Sequence, residues 1–157
     1  MKNINLKLKE GFTLIELLVT IAIIGILAGF ILTRYPVTIK QGNDARVIND
    51  LSQFRVETGI IFQADKNFSN LNCTVGSNSC SCTNVTLNTL CTDARKNSDQ
   101  DFIYQRNQDN LGFCLVAHLA GDNSYFCVDG NLYAKKYITT PATCTAGCVA
   151  GNSCRCE

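Results

Sequence analysis

The sequence predicts an α+β protein: a long N-terminal helix whose first half suits a membrane, packed through its second half on a small antiparallel sheet in a disulfide-rich head. Three observations carry this. Phe12 to Leu32 is an apolar block of 21 residues in which Glu16 is the sole charge. Apolar residues then recur at three- and four-residue steps as far as Phe62, the period of an amphipathic helix. Finally, all ten cysteines lie at or beyond Cys73, in a region with hairpin signals.

At about 1.5 Å per residue the apolar block is long enough to cross a hydrocarbon core of about 30 Å. Lys2, Lys7 and Lys9 precede it and orient the N terminus towards the cytoplasm. An ordinary cleaved signal peptide has a hydrophobic region of about 7–15 residues, and this block is longer and holds an acid. The acid is the feature to explain, because a carboxylate in the middle of a span costs about 2.5–3.5 kcal/mol. Gly25 and Gly29 form a G-x-x-x-G pair that lets helices approach closely in lipid.

The run Gly11-Phe12-Thr13-Leu14-Ile15-Glu16 resembles the processing site of type IV pilins and of the pseudopilins of type II secretion. The resemblance covers the leader and first helix. It implies that residues 1–11 are a basic leader, cut by a prepilin peptidase after Gly11, and that Phe12 becomes the N-methylated first residue of the mature chain. It implies an assembly role for Glu16: its carboxylate pairs with the cationic amino group of Phe12, within one chain or between neighbouring subunits, so that neither charge is buried alone. Residues 12–35 become the transmembrane and assembly helix. The family also suggests that a segment between a glycine and a proline loosens on assembly, and here Gly25 and Pro36 bracket such a segment.

Residues 36–66 read as the amphipathic outer half of the same helix. Val47, Ile48, Leu51, Phe54, Thr58, Ile61 and Phe62 form one face, with Asp44, Arg46, Asp50, Arg55 and Glu57 mostly on the others. Residues 67–157 form the Cys-rich head. Its first part, 68–110, is polar and needs disulfides, with a short helix expected over 92–100. Strands are expected over 112–119, 124–128 and 132–137, joined by turns at 120–123 and 129–131. Cys114 and Cys127 fall on adjacent strands, where a bridge between them is the pairing favoured.

Cys73, Cys80, Cys82, Cys91, Cys114, Cys127, Cys144, Cys148, Cys154 and Cys156 are all disulfide candidates, an even count suited to an oxidising compartment. Their connectivity is one of about 945 pairings. Asn78-Ser79-Cys80-Ser81-Cys82 is echoed by Asn152-Ser153-Cys154-Arg155-Cys156, which suggests two similar knots or two loops stapled together. Metal binding is the alternative for these Cys-x-Cys pairs, although zinc sites favour wider spacings and histidine. Asn67, Asn72 and Asn84 begin N-glycosylation sequons that are incidental in a bacterial chain.

No catalytic motif is present: there is no Walker loop, no G-x-S-x-G and no H-E-x-x-H. A redox enzyme would need a pair such as Cys-x-x-Cys, and none occurs. His118 sits between apolar neighbours as a structural residue. No cofactor is expected; Asp99, Asp101 and Asp109 are the one candidate set for calcium, at spacings unlike an EF-hand. Net charge is +1; of 14 basic and 13 acidic residues the leader holds three and one, leaving 11 against 12. Nothing in that balance suggests nucleic acid.

The resemblance therefore implies a structural subunit. Its expected partners are the membrane before assembly, the prepilin peptidase, an inner-membrane assembly platform, and copies of itself in an extracellular filament. A pseudopilin in a short periplasmic filament is the alternative. A minor tip pilin serving as adhesin or DNA receptor is another.

Overall fold

A computed structural model describes residues 11–69, 71–76, 79–100, 102–107, 109–141, 144 and 154–156. The basic leader before Gly11, Asp101 and Cys148 lie outside the described residues. Helix α1 runs Leu14–Asp65. The chain divides into two compact units, Met1–Pro36 and Val37–Glu157, each described by itself below.

In the second unit, α1 buries Asp44, Val47, Leu51, Phe54 and Thr58 at alternating three- and four-residue steps, with Ile48, Ile61 and Phe62 partly buried beside them. This is the face expected from the periodicity, with one correction. Asp44 faces inwards, because its Oδ2 accepts a hydrogen bond from the Gly121 amide at 2.8 Å. A Cβ at Gly121 would collide with that oxygen and crowd the Gln41 amide at 3.2 Å, so a side chain there would push Asp44 away. The helix stops at Lys66, which takes a left-handed conformation (φ 57°) and donates its amide to the Phe62 carbonyl.

A two-stranded hairpin follows, β1 (Cys73–Val75) with β2 (Cys80–Cys82), and then α2 (Val85–Asn97). The helix starts seven residues earlier than the expected 92, and the cause is local: the side chain of Asn84 caps it by accepting from the Leu87 amide at 3.1 Å. Leu87, Cys91 and Ala94 then form its buried face.

A four-stranded antiparallel meander completes the fold in the order β3 (Ile103–Arg106), β4 (Phe113–Leu119), β5 (Ser124–Asp129), β6 (Ala134–Tyr137). The last three strands match the expected ones to within two residues. The edge strand β3 and the small hairpin were not expected, being short and polar. Every residue of β4 is buried. Phe113, Leu115, Ala117 and Leu119 join Val47, Leu51 and Phe54 in the main core. Cys114 and Val116 face the other way, into a second small core with Cys127, Cys144, Cys154 and Cys156.

That second core corrects the expected Cys114–Cys127 bridge. Cys127 stands opposite Val116, and Cys114 opposite Asp129, so the two cysteines share a face but are offset by one pleat. Each instead reaches the C-terminal tail, in Cys114–Cys144 and Cys127–Cys156. Earlier in the chain, Cys73–Cys82 and Cys80–Cys91 tie β1, β2 and α2. Cys154 is also disulfide-bonded. The two Cys-x-Cys echoes thus lie in separate knots, and no bridge among the described residues joins one knot to the other.

Candidate functional site

Gly11 and Phe12 precede the first turn of α1 without regular structure, both exposed. The side chain of Phe12 is 85% exposed, and the apolar residues through Leu32 remain exposed around the whole helix circumference. A helix apolar on all sides needs a lipid or protein environment to cover it. Among the described residues it is the one helix long and apolar enough to cross a membrane.

Glu16 sits in the first turn. Its Oε2 accepts from the Thr13 amide at 2.9 Å and from Thr13 Oγ1 at 2.8 Å, while the Glu16 amide donates back to Thr13 Oγ1 at 3.3 Å. This is a capping box, in which Thr13 and Glu16 satisfy orphan amides of the helix start reciprocally. The T-x-x-E spacing carries that signal in the sequence, and a reading centred on the cost of burying charge passes over it. Oε1 accepts no hydrogen bond among the described residues, so the carboxylate keeps lone pairs for a further partner.

The other polar side chains of the segment are satisfied internally, as lipid requires. Thr20 Oγ1 donates to the Leu17 carbonyl and Thr33 Oγ1 to that of Phe30, each at 2.8 Å. Gly25 and Gly29 have no atom near a would-be Cβ within the chain, which leaves that face open to a neighbouring helix. Pro36 lies inside α1 and supplies no amide to the carbonyl of Leu32, a weak point in an otherwise continuous helix.

The head offers little chemistry. His118, almost fully buried on β4, holds Asp99 Oδ1 at 2.5 Å and Asn123 Oδ1 at 3.0 Å and packs against the Tyr125 ring. It ties loop to strand. Asp99 is thus engaged by His118, and Asp109 by the Leu111 amide. Asp101, the third member of the calcium set, lies outside the described residues, and no metal-holding group is found among the described residues. An open groove lined by Arg55, Val56, Gly59, Ile60, Gln63 and Leu132 is mostly apolar and contains no acid or nucleophile. Arg55, expected on the solvent side, reaches from it to the Leu132 carbonyl at 2.8 Å.

Comparison with known proteins finds similarity over part of the chain. The family model described as the prokaryotic N-terminal methylation motif matches residues 6–32. Three curated proteins described as Type IV major fimbrial protein FimA, from Dichelobacter nodosus, are each 41% identical over 56 residues. The match covers 34% of this chain and 35–36% of theirs, so the chain spans little more than a third of the length of these relatives. No solved structure matches the chain.

Proposed function

We propose that this chain is a structural subunit of the type IV pilin kind, processed at Gly11 and polymerised through its N-terminal helix into an extracellular filament. The single observation that carries this is the exposed, all-round apolar helix headed by Phe12 and Glu16. Such a surface is stable only when covered, first by the bilayer and then by copies of itself.

The chemistry runs in three steps. A prepilin peptidase hydrolyses the Gly11–Phe12 bond on the cytoplasmic side, and Phe12 is methylated on its new amino group. The amine remains cationic. Released from the membrane into a bundle of like helices, it meets the Glu16 carboxylate of its own or a neighbouring chain, at the oxygen that the capping box leaves open. A pair between chains fixes their axial stagger, since each Phe12 must find one Glu16. Gly25 and Gly29 allow the close helix approach that the bundle needs. An inner-membrane platform is the expected site of this transfer.

An extracellular filament rather than the short periplasmic one of a pseudopilin is favoured by two considerations. The relatives are named as major fimbrial proteins, and a head bound by many disulfides suits exposure outside the cell.

Glu16→Ala and Gly11→Val separate the steps. The Glu16→Ala chain is expected to be cleaved normally but to yield at least tenfold fewer sheared filaments, measured by immunoblot of the shear fraction. Gly11→Val is expected to leave full-length precursor in the membrane. Normal filaments from Glu16→Ala would overturn the pairing of Glu16 with Phe12.

A further inference from the structure

The disulfide connectivity has a feature independent of the N-terminal helix. None of the four described bridges joins cysteines that are neighbours along the chain. Cys73–Cys82 interlocks with Cys80–Cys91, and Cys114–Cys144 interlocks with Cys127–Cys156. An oxidant acting on thiols as they become available joins neighbours first.

The second knot shows where that leads. Cys114 and Cys127 lie on the two strands of one hairpin, on the same face and one pleat out of register. Diagonal neighbours of this kind have Cα atoms about 7–8 Å apart, so the two are joined only by a two-residue shift of register, made before the hairpin has packed. The hairpin is local: its strands are separated by residues 120–123 alone, and their pairing draws on no residue of the tail. The native partners Cys144 and Cys156 arrive last, closing loops of 30 and 29 residues against 13 for the local pair. Loop-closure entropy alone favours the local bridge by about threefold.

We infer that the head reaches its native pairing largely through a Cys114–Cys127 intermediate, and that a thiol–disulfide isomerase, which resolves it, is a folding partner of this chain. The isomerase thiolate attacks Sγ of Cys114, breaking the Cys114–Cys127 bond. This forms a mixed disulfide and frees the Cys127 thiolate. The Cys144 thiolate then attacks Cys114 Sγ, forming Cys114–Cys144 and returning the isomerase thiolate. These exchanges consume no electrons. Cys127–Cys156 then forms with loss of two electrons and two protons to a disulfide-bearing oxidant of the same compartment.

The test uses the full chain in detergent, reduced and unfolded, then reoxidised in three arms and mapped by non-reducing peptide mass spectrometry. The arms are diamide alone, a glutathione redox buffer, and that buffer with a bacterial thiol–disulfide isomerase. With diamide, the Cys114–Cys127 peptide is expected to exceed Cys114–Cys144 by threefold or more, and the isomerase should invert that ratio. Native pairing in equal yield with diamide alone would overturn the inference. Glutathione alone matching the isomerase arm would overturn the need for a protein partner. A Cys114→Ser/Cys144→Ser chain, in which the trap cannot form, should make Cys127–Cys156 equally well with or without the isomerase. Continued dependence there would remove Cys114–Cys127 as the trap. None of these readouts involves processing or filaments, so failure here leaves the pilin reading untouched.

Discussion

Asp129 shows how much one side chain can organise. Almost sealed from solvent, it accepts from the amides of Asn131 and Tyr133 through Oδ1, and from the Cys156 amide through Oδ2 at 3.0 Å. It therefore shapes the turn after β5 and pins the tail over the back of the sheet. Asp129→Ala strands three amides, two of them at the turn, and is expected to cost about 3 kcal/mol or more. Thermal unfolding of the oxidised chain would show the loss. Gly130 beside it has no room for a Cβ, which would fall 2.8 Å from the Phe68 ring. Tyr104 gives a second test. Burial pushes its phenol up to about 12 from the usual 10.0, and its hydroxyl donates to the Leu71 carbonyl. Because the folded value is the higher one, the stabilisation is complete below pH 10 and is lost as pH rises from 10 through about 12. Tyr104 is expected to ionise late in an absorbance titration, and Tyr104→Phe should remove that late step.

At the scale of elements, periodicity and turn chemistry were the legible signals. The face Val47, Leu51, Phe54 and Thr58 is readable because α1 packs on one side only. The hairpin of β4 and β5 is readable because Ala120–Asn123 breaks two apolar runs, and Asn123 does adopt a left-handed conformation there. The small hairpin and β3 were illegible for a physical reason: their stability comes from disulfides and from pairing with β4, neither of which leaves an alternating pattern in a short polar segment. Helix α2 was legible in principle. Asn84 is both a sequon residue and a helix cap, and the capping role is the one the structure uses. Two substitutions grade these elements. Leu51→Ala removes a fully buried side chain from the main core and is expected to cost about 2–5 kcal/mol. Asn84→Ala should cost about 1 kcal/mol. Denaturant unfolding should rank the two in that order.

At the scale of the molecule, the two units answer different demands. The first is an apolar helix with its polar groups satisfied internally, built to be covered by something else. The second carries its own two cores, one on each face of a single sheet, and the rear core consists largely of cystine. Bridges of these loop sizes contribute about 2–4 kcal/mol each. The cysteine count in the sequence showed that such a framework exists, but not its pairing, which depends on a tail folding back across strands that precede it. The run from Gly11 to Glu16 lies within residues 6–32, which the methylation-motif model matches. The Thr13–Glu16 capping box adds to it a role for Glu16 in the isolated chain, before any neighbour is present.

The central claim is that this chain is cut after Gly11 and built into a filament. The most direct measurement is the intact mass of the chain in filaments sheared from the surface of expressing cells, with and without reduction. A chain beginning at N-methylated Phe12, gaining two protons per bridge on reduction, is the expected result. A chain in that fraction beginning at Met1, or a processed chain confined to the membrane, would contradict it.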